Sequence, residues 1–168
     1  AHGLSAVPHF YVVAKRDDDA YSRWKVYHHK NTSAPETETL QWSTTAVTSD
    51  NTGWNDTAPT SSVFSLGSGE SLNKSGDPYV AYLWSEKQGF SKFGGYEGNG
   101  NADGVFVYTG FRPAFIMTKS IDSTSSWHMF DDQREGYNVD NDTLVAEATT
   151  VEATTDMIDI LSNGFKCR

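Results

Sequence analysis

The sequence predicts an all-β protein, an antiparallel β-sandwich with an internal pseudo-repeat. Three observations carry this reading. Apolar and polar residues alternate in many short runs, and no stretch longer than about ten residues keeps the 3.6-residue apolar period of a helix. The links between runs are rich in Ser, Thr, Asn, Asp and Gly, the residues of turns. Aromatic residues make up 13% of the chain although only 37% is hydrophobic, so the chain folds and its core is built largely from rings.

The strands are expected at His9–Lys15, Ser22–His28, Thr39–Trp42, Ser62–Leu66, Tyr79–Ser85, Phe90–Tyr96, Gly104–Thr109, Ala114–Lys119, Ser126–Phe130, Thr143–Ala146 and Met157–Leu161. Successive strand residues point to opposite sides of a sheet. In "WKVYH", Trp24, Val26 and His28 therefore share one face, and Lys25 and Tyr27 the other. "PYVAYLW" and "GVFVYTGF" are almost continuously apolar, as suits strands covered on both sides. The pattern assigns Phe10, Val12, Trp24, Val80, Val107, Phe115, Trp127 and Ile160 to the core.

The internal repeat is read from anchors in a common order. Pro8, Phe10 and Lys15 of "PHFYVVAK" answer Pro113, Phe115 and Lys119 of "PAFIMTK". Acidic turns follow, Asp17–Asp19 and Asp122. Trp24 and Tyr27 answer Trp127 and Phe130, and Leu40 answers Leu144. Val63, Leu66 and Gly69 answer Ile158, Leu161 and Gly164. This describes a single domain over 1–168 made of two related halves, about 1–88 and 89–168. The copies are cut unequally: the first runs on through "DPYVAYLWSE" and the second stops at "GFKCR". That phasing is expected of a window from a longer repeating protein or of one sandwich whose end strands complete one another, and a chain opening on Ala1 is expected of a processed chain or a fragment.

Composition narrows the function. The formal net charge is -9 over 168 residues. Duplex nucleic acid calls for a basic face, and no Lys/Arg cluster exceeds Lys15–Arg16, so no nucleic-acid partner is expected. Acidity disfavours anionic membrane surfaces, and no apolar run nears the roughly 20 residues of a membrane span. The single cysteine, Cys167, forms no internal disulfide and leaves the compartment open.

"AHGLSAVPHFYVVAK", "WKVYH", "NDTAPTSSVFSLG", "YVAYLWSEKQGFSKFGGYEGNGNADGVFVYTGFRPAFIMTK" and "IDILSNGFK" together span nearly the whole chain. They resemble a repeat domain of structural and tail proteins of tailed phages, especially marine ones, and of metagenomic relatives. The resemblance implies a concanavalin-like or jelly-roll-like sandwich with no catalytic residues to transfer. It implies a non-enzymatic structural or adhesion module, in a virion or otherwise extracellular, whose partners are other virion proteins, cell-surface glycans or further copies of itself. A carbohydrate-binding module is the alternative. The chain departs from this pattern at Trp84, where other members carry a small residue.

Candidate sites follow from local chemistry. "GFSKFGGYEGNGNADG" has the glycines of a phosphate loop, but a strand follows it where a dinucleotide loop needs a helix N-terminus. It reads as a turn with glycines at positive φ. Its alternating Asn99, Asn101 and Asp103 are the candidate oxygen ligands of a weakly held calcium; no other cofactor is expected. "NVDNDT", with Asp140 and Asp142, allows the same reading. Hydrolysis of glycosides needs two flanking carboxylates. Glu152, Asp156 and Asp159 have the wrong parity for one strand face, and Glu36 and Glu38 lack a third member. His28 and His29 adjoin on a strand and point apart, and no nucleophile elbow accompanies any histidine. Trp54, in the polar loop "DNTGWNDTAP" that breaks the repeat, is the candidate sugar platform, with Asn51, Asn55 and Asp56 as its hydrogen-bonding partners. Trp24 and Trp127 read as core, and the pattern does not decide Trp42 or Trp84.

Overall fold

A computed structural model describes residues 1–17, 23–134 and 142–168. Asp18, Asp19 and Ser22 of the sequence reading, and Asn138 and Asp140 of the second acidic loop, lie outside the described residues. Within them the protein is all-β, with eleven strands and one four-residue helix, α1 (Glu70–Asn73). Every strand pairing is antiparallel. Two compact units divide the chain, one of Ala1–Glu86 with Ile121–Ser125, the other of Lys87–Ser120 with Ser126–Arg168.

The first unit holds one five-stranded sheet in the order β4-β3-β2-β1-β5. Its strands are β1 (Phe10–Lys15), β2 (Trp24–His28), β3 (Glu38–Gln41), β4 (Ser49–Asp50) and β5 (Tyr79–Trp84). One sheet face presents Tyr11, Val13 and Tyr27, which pack against Trp54 and Leu72, with Phe64 and Leu66 alongside. The cover is thus a 3-10 turn (Thr52–Trp54), irregular chain and α1. The strand expected at Ser62–Leu66 is absent, because Val63 closes a turn by accepting from the Thr60 amide. Gly67 lets this cover lie close. A Cβ there would stand 1.9 Å from the Thr52 carbonyl oxygen.

The second unit is a small sandwich of two three-stranded sheets. One is β7 (Phe115–Thr118), β8 (His128–Asp131) and β9 (Leu144–Val145). The other runs β10-β11-β6, from β10 (Ile158–Leu161), β11 (Gly164–Cys167) and β6 (Phe106–Tyr108). Ile116 and Phe130 from the first sheet pack on Ile158, Ile160 and Phe165 from the second. Gly164 allows β11 and β6 to approach, since a Cβ there would stand 2.1 Å from the Val107 carbonyl oxygen. No strand forms over Phe90–Tyr96; the chain there makes a short bridge between Lys87 and Ser91.

Strands at several of the matched anchors pair in similar registers. Val26 pairs with Val12 on one side and Leu40 on the other. Met129 likewise pairs with Met117 and Leu144. The Trp42 amide donates to Trp24 O, and the Ala146 amide to Trp127 O. Tyr11 opposite Tyr27 and Ile116 opposite Phe130 fill the two cores. By this correspondence the counterpart of Lys119 is Ala14, one position short of the Lys15 expected from sequence. The covers differ: irregular chain with α1 in the first copy, a three-stranded sheet in the second.

Two core expectations are corrected. Trp24 is 44% exposed and Phe115 is 58% exposed. Both are on strands, but both point away from the covered side of their sheets, where alternation alone does not say which side that is. Phe10, Val12, Trp127 and Ile160 are buried, while Val80 and Val107 are half-buried.

Candidate functional site

The loop chosen from sequence serves packing. Trp54 is 0% exposed, so its ring is not offered to a ligand, and its assignment as a sugar platform is corrected. The chain folds Trp54 inward because Asn51 caps the turn, its Oδ1 accepting from the Gly53 amide at 2.9 Å. Asn51 Nδ2 also donates to Thr39 Oγ1 at 2.6 Å. Asn55 and Asp56 take the left-handed conformation, with φ of 53° and 45°, which Asn and Asp tolerate best among residues with side chains. The indole Nε1–H donates to Glu38 O at 2.9 Å, and the Tyr11 ring meets the indole edge-on at 4.8 Å. Asn55 and Asp56 are exposed beside a buried indole, and the four residues do not form a platform.

The calcium candidates Asn99, Asn101 and Asp103 make a chain of turns. Asn99 Oδ1 accepts from the Asn101 amide at 3.2 Å, and Asn101 Oδ1 from the Asp103 amide at 2.9 Å. The Asp103 carboxylate pairs with Lys166 Nζ, and that hydrogen bond holds its pKa below the usual carboxylate range. These side-chain oxygens are turned to the loop's own amides and to one lysine. Gly89 and Gly100 have positive φ, 74° and 65°. Among the described residues no cluster of three or more His, Cys, Asp and Glu could hold a metal ion. No helix there is long and apolar enough to cross a membrane. Of the carboxylates weighed for hydrolysis, Glu152 pairs with Arg134 and Asp159 with Arg168.

The site that the structure does build is the outer face of the five-stranded sheet. On this face β1 lies next to the β5 edge, with Phe10 and Val12 buried on this side. β2 and β5 flank it. The register places Trp24 beside Ala14, Tyr82 beside Val12 and Trp84 beside Phe10. Trp24, Tyr82 and Trp84 are 44%, 45% and 41% exposed. Their rings run nearly parallel: Trp24 and Tyr82 lie 6.4 Å apart at 10°, Tyr82 and Trp84 6.3 Å apart at 25°. Trp42 meets Trp24 edge-on at 6.2 Å and Phe10 at 6.1 Å, which holds the row in place. At the Trp24–Tyr82 end, Arg16 and Asp17 line a depression together with Ala14 and Val80.

Three histidines gather near Phe10. The ring of His28 meets Phe10 at 6.0 Å, and those of His9 and His29 meet at 4.6 Å. His28 Nδ1 accepts from the Lys30 amide at 3.0 Å. Burial first, and then the neighbouring His29, push its pKa down to about 4; Glu86 opposes the shift.

Over residues 1–168 the chain matches the family described as "Domain of unknown function (DUF7483)". The chain belongs to this family. No curated protein and no solved structure matches it. The aromatic row is therefore a feature of this DUF7483 domain read from its own coordinates. Sequence carried a partial signal for it. Strand parity puts Trp24 with Val26 and His28, and Tyr82 with Trp84, but only the register brings the two sets to either side of β1.

Proposed function

We propose that this domain is a non-enzymatic adhesion module of a phage virion or tail, working in an extracellular setting. The resemblance of the long central motif to phage structural repeats supports the setting. The exposed row of Trp24, Tyr82 and Trp84 supports adhesion, because three large rings left open on one sheet face are the composition of a binding surface rather than of a passive wall.

One observation favours a glycan as the ligand. Trp24 and Tyr82 stand nearly parallel, and Arg16 and Asp17 line the same depression. The C–H face of a pyranose is weakly positive and stacks on the negative face of an aromatic ring. Its hydroxyls need planar donors and acceptors at the rim, which a guanidinium and a carboxylate supply. A single site of this kind binds with a Kd near millimolar, about −4 kcal/mol, and repeated copies on a fibre raise the effective affinity by avidity. A glycan array read with immobilised domain tests the assignment. A hit should be lost in Trp24→Ala and in Tyr82→Ala while both variants keep the parent melting temperature within a few degrees. A hit that persists in both variants places the glycan elsewhere. If the wild type binds no glycan on a broad panel, the row is a contact for another virion protein.

A further inference from the structure

We propose that the outer edge of β7 is a strand-acceptor site, and that its occupant is the outer edge of β5 in a second copy of this chain. The inference rests on backbone hydrogen bonding and goes beyond the glycan reading.

In an antiparallel ladder, hydrogen-bonded residues alternate, so every second residue turns its N–H and C=O away from a given neighbour. The His29 amide donates to His9 O, so Tyr11 and Val13 bond β2; the Arg16 amide donates to Pro78 O, so Phe10, Val12 and Ala14 bond β5, and at the start of the strand the His9 amide also donates to Trp84 O of β5. In the second copy the Asp132 amide donates to Ala114 O, so Ala114, Ile116 and Thr118 bond β8. Phe115 and Met117, the counterparts of Phe10 and Val12, then aim their backbone groups at the opposite edge. β7 ends its sheet there. The side chains record the difference: Phe10 is 5% exposed and Phe115 is 58% exposed. The first copy thus fills with β5 the edge that the second leaves open. By the same alternation, Tyr79, Ala81 and Leu83 turn their backbone groups outward from β5, which also ends its sheet.

The two edges fit in one antiparallel register. Phe115 falls opposite Leu83, Met117 opposite Ala81 and Lys119 opposite Tyr79, so all outward-turned residues meet. Arg112 then falls opposite Glu86, and Lys119 comes within two positions of Asp77. Arg112 and Lys119 flank β7, and Asp77 and Glu86 flank β5, so opposite charges meet across the paired edges in this register. Main-chain hydrogen bonds of this kind are the general mode of strand addition. The contact is heterologous, so each copy offers one acceptor and one donor, and copies add head to tail.

Sedimentation velocity over a wide concentration range tests this. Wild-type chain should grow into oligomers beyond a dimer as concentration rises. Met117→Pro and Ala81→Pro each remove an outward N–H that no described ladder uses, at edge positions where proline is tolerated. Each variant alone should stay monomeric, and an equimolar mixture should stop at a one-to-one dimer, because each retains one of the two edges. Charge reversals that leave the backbone untouched provide a second route. Arg112→Glu or Glu86→Arg alone should weaken association about tenfold, and mixing the two should restore it. A wild type that is monomeric at every concentration overturns the proposal. So does association that survives both prolines, or a prolyl mixture in which both variants remain monomeric while retaining the parent circular dichroism spectrum.

Discussion

At the scale of single residues, two tryptophans carry opposite loads. Trp54 is buried, hydrogen-bonded at Nε1 and ringed by Tyr11 and Tyr27. Trp54→Ala should cost about 3–5 kcal/mol, as large core truncations do, and chemical denaturation measures it. Trp24 keeps much of its ring in water, so Trp24→Ala should cost about 1 kcal/mol or less; a cost near that of Trp54 would show the outer face to be covered. His28 adds a pH dependence of known sign. Its folded pKa lies at about 4, below the usual histidine value. Between about 6.5 and 4 the unfolded chain binds a proton that the folded chain excludes, so stability falls as pH drops through that window and is unaffected by this group above it. The loss should be about 2 kcal/mol at pH 5, and His28→Asn should remove that slope from a series of melting curves.

At the scale of elements, β1 is tied to the loop before β5 by one ion pair. Lys15 Nζ meets Asp77 Oδ2 at 2.5 Å, and the lysine side chain is almost fully buried. Removing one partner of such a pair leaves a buried charge, which costs more than the pair itself contributes. Asp77→Ala should destabilise by about 3 kcal/mol, whereas Lys15→Met with Asp77→Leu should lose much less. A double-mutant cycle reads the difference, and equal losses would show that Lys15 does not depend on Asp77. Close backbone approach has similar weight. Gly67→Ala would push a methyl group into the Thr52 carbonyl, so the cover over Tyr11 and Tyr27 should loosen, seen as faster amide exchange at Gly67, whose amide bonds Gly53 O.

At the scale of the whole molecule, a repeated pattern meets two unequal environments. Trp24 and Trp127 occupy the same register position, yet Trp24 is 44% exposed and Trp127 is 3% exposed. Identical substitutions should therefore have unequal effects: Trp127→Ala should cost about 3–5 kcal/mol against about 1 for Trp24→Ala. Equal losses in the two unfolding curves would contradict the exposure difference. The asymmetry also leaves Trp24, Tyr82 and Trp84 exposed on the outer face of the first copy and β7 at the edge of its sheet in the second.

What the sequence determined by itself was what is local or ordered along the chain. Period-two alternation located nine of the strands to within a few residues, and the order of anchors located the repeat, because both are properties of consecutive residues. It overlooked β4 and β11, one of them two residues long and the other opened by Gly164. The site was less legible. Parity says that Trp24, Val26 and His28 share a face, but not whether that face is covered, since the cover comes from distant chain. Trp54 looked like a ligand platform because its neighbours are polar, and those same neighbours, Asn51 and Asn55, turned out to be the cap and the left-handed corner that drive it into the core. Tertiary structure alone decided which side of the sheet is buried, which rings stand in a row and which edges lack a strand, because each of these depends on pairings between residues far apart in sequence.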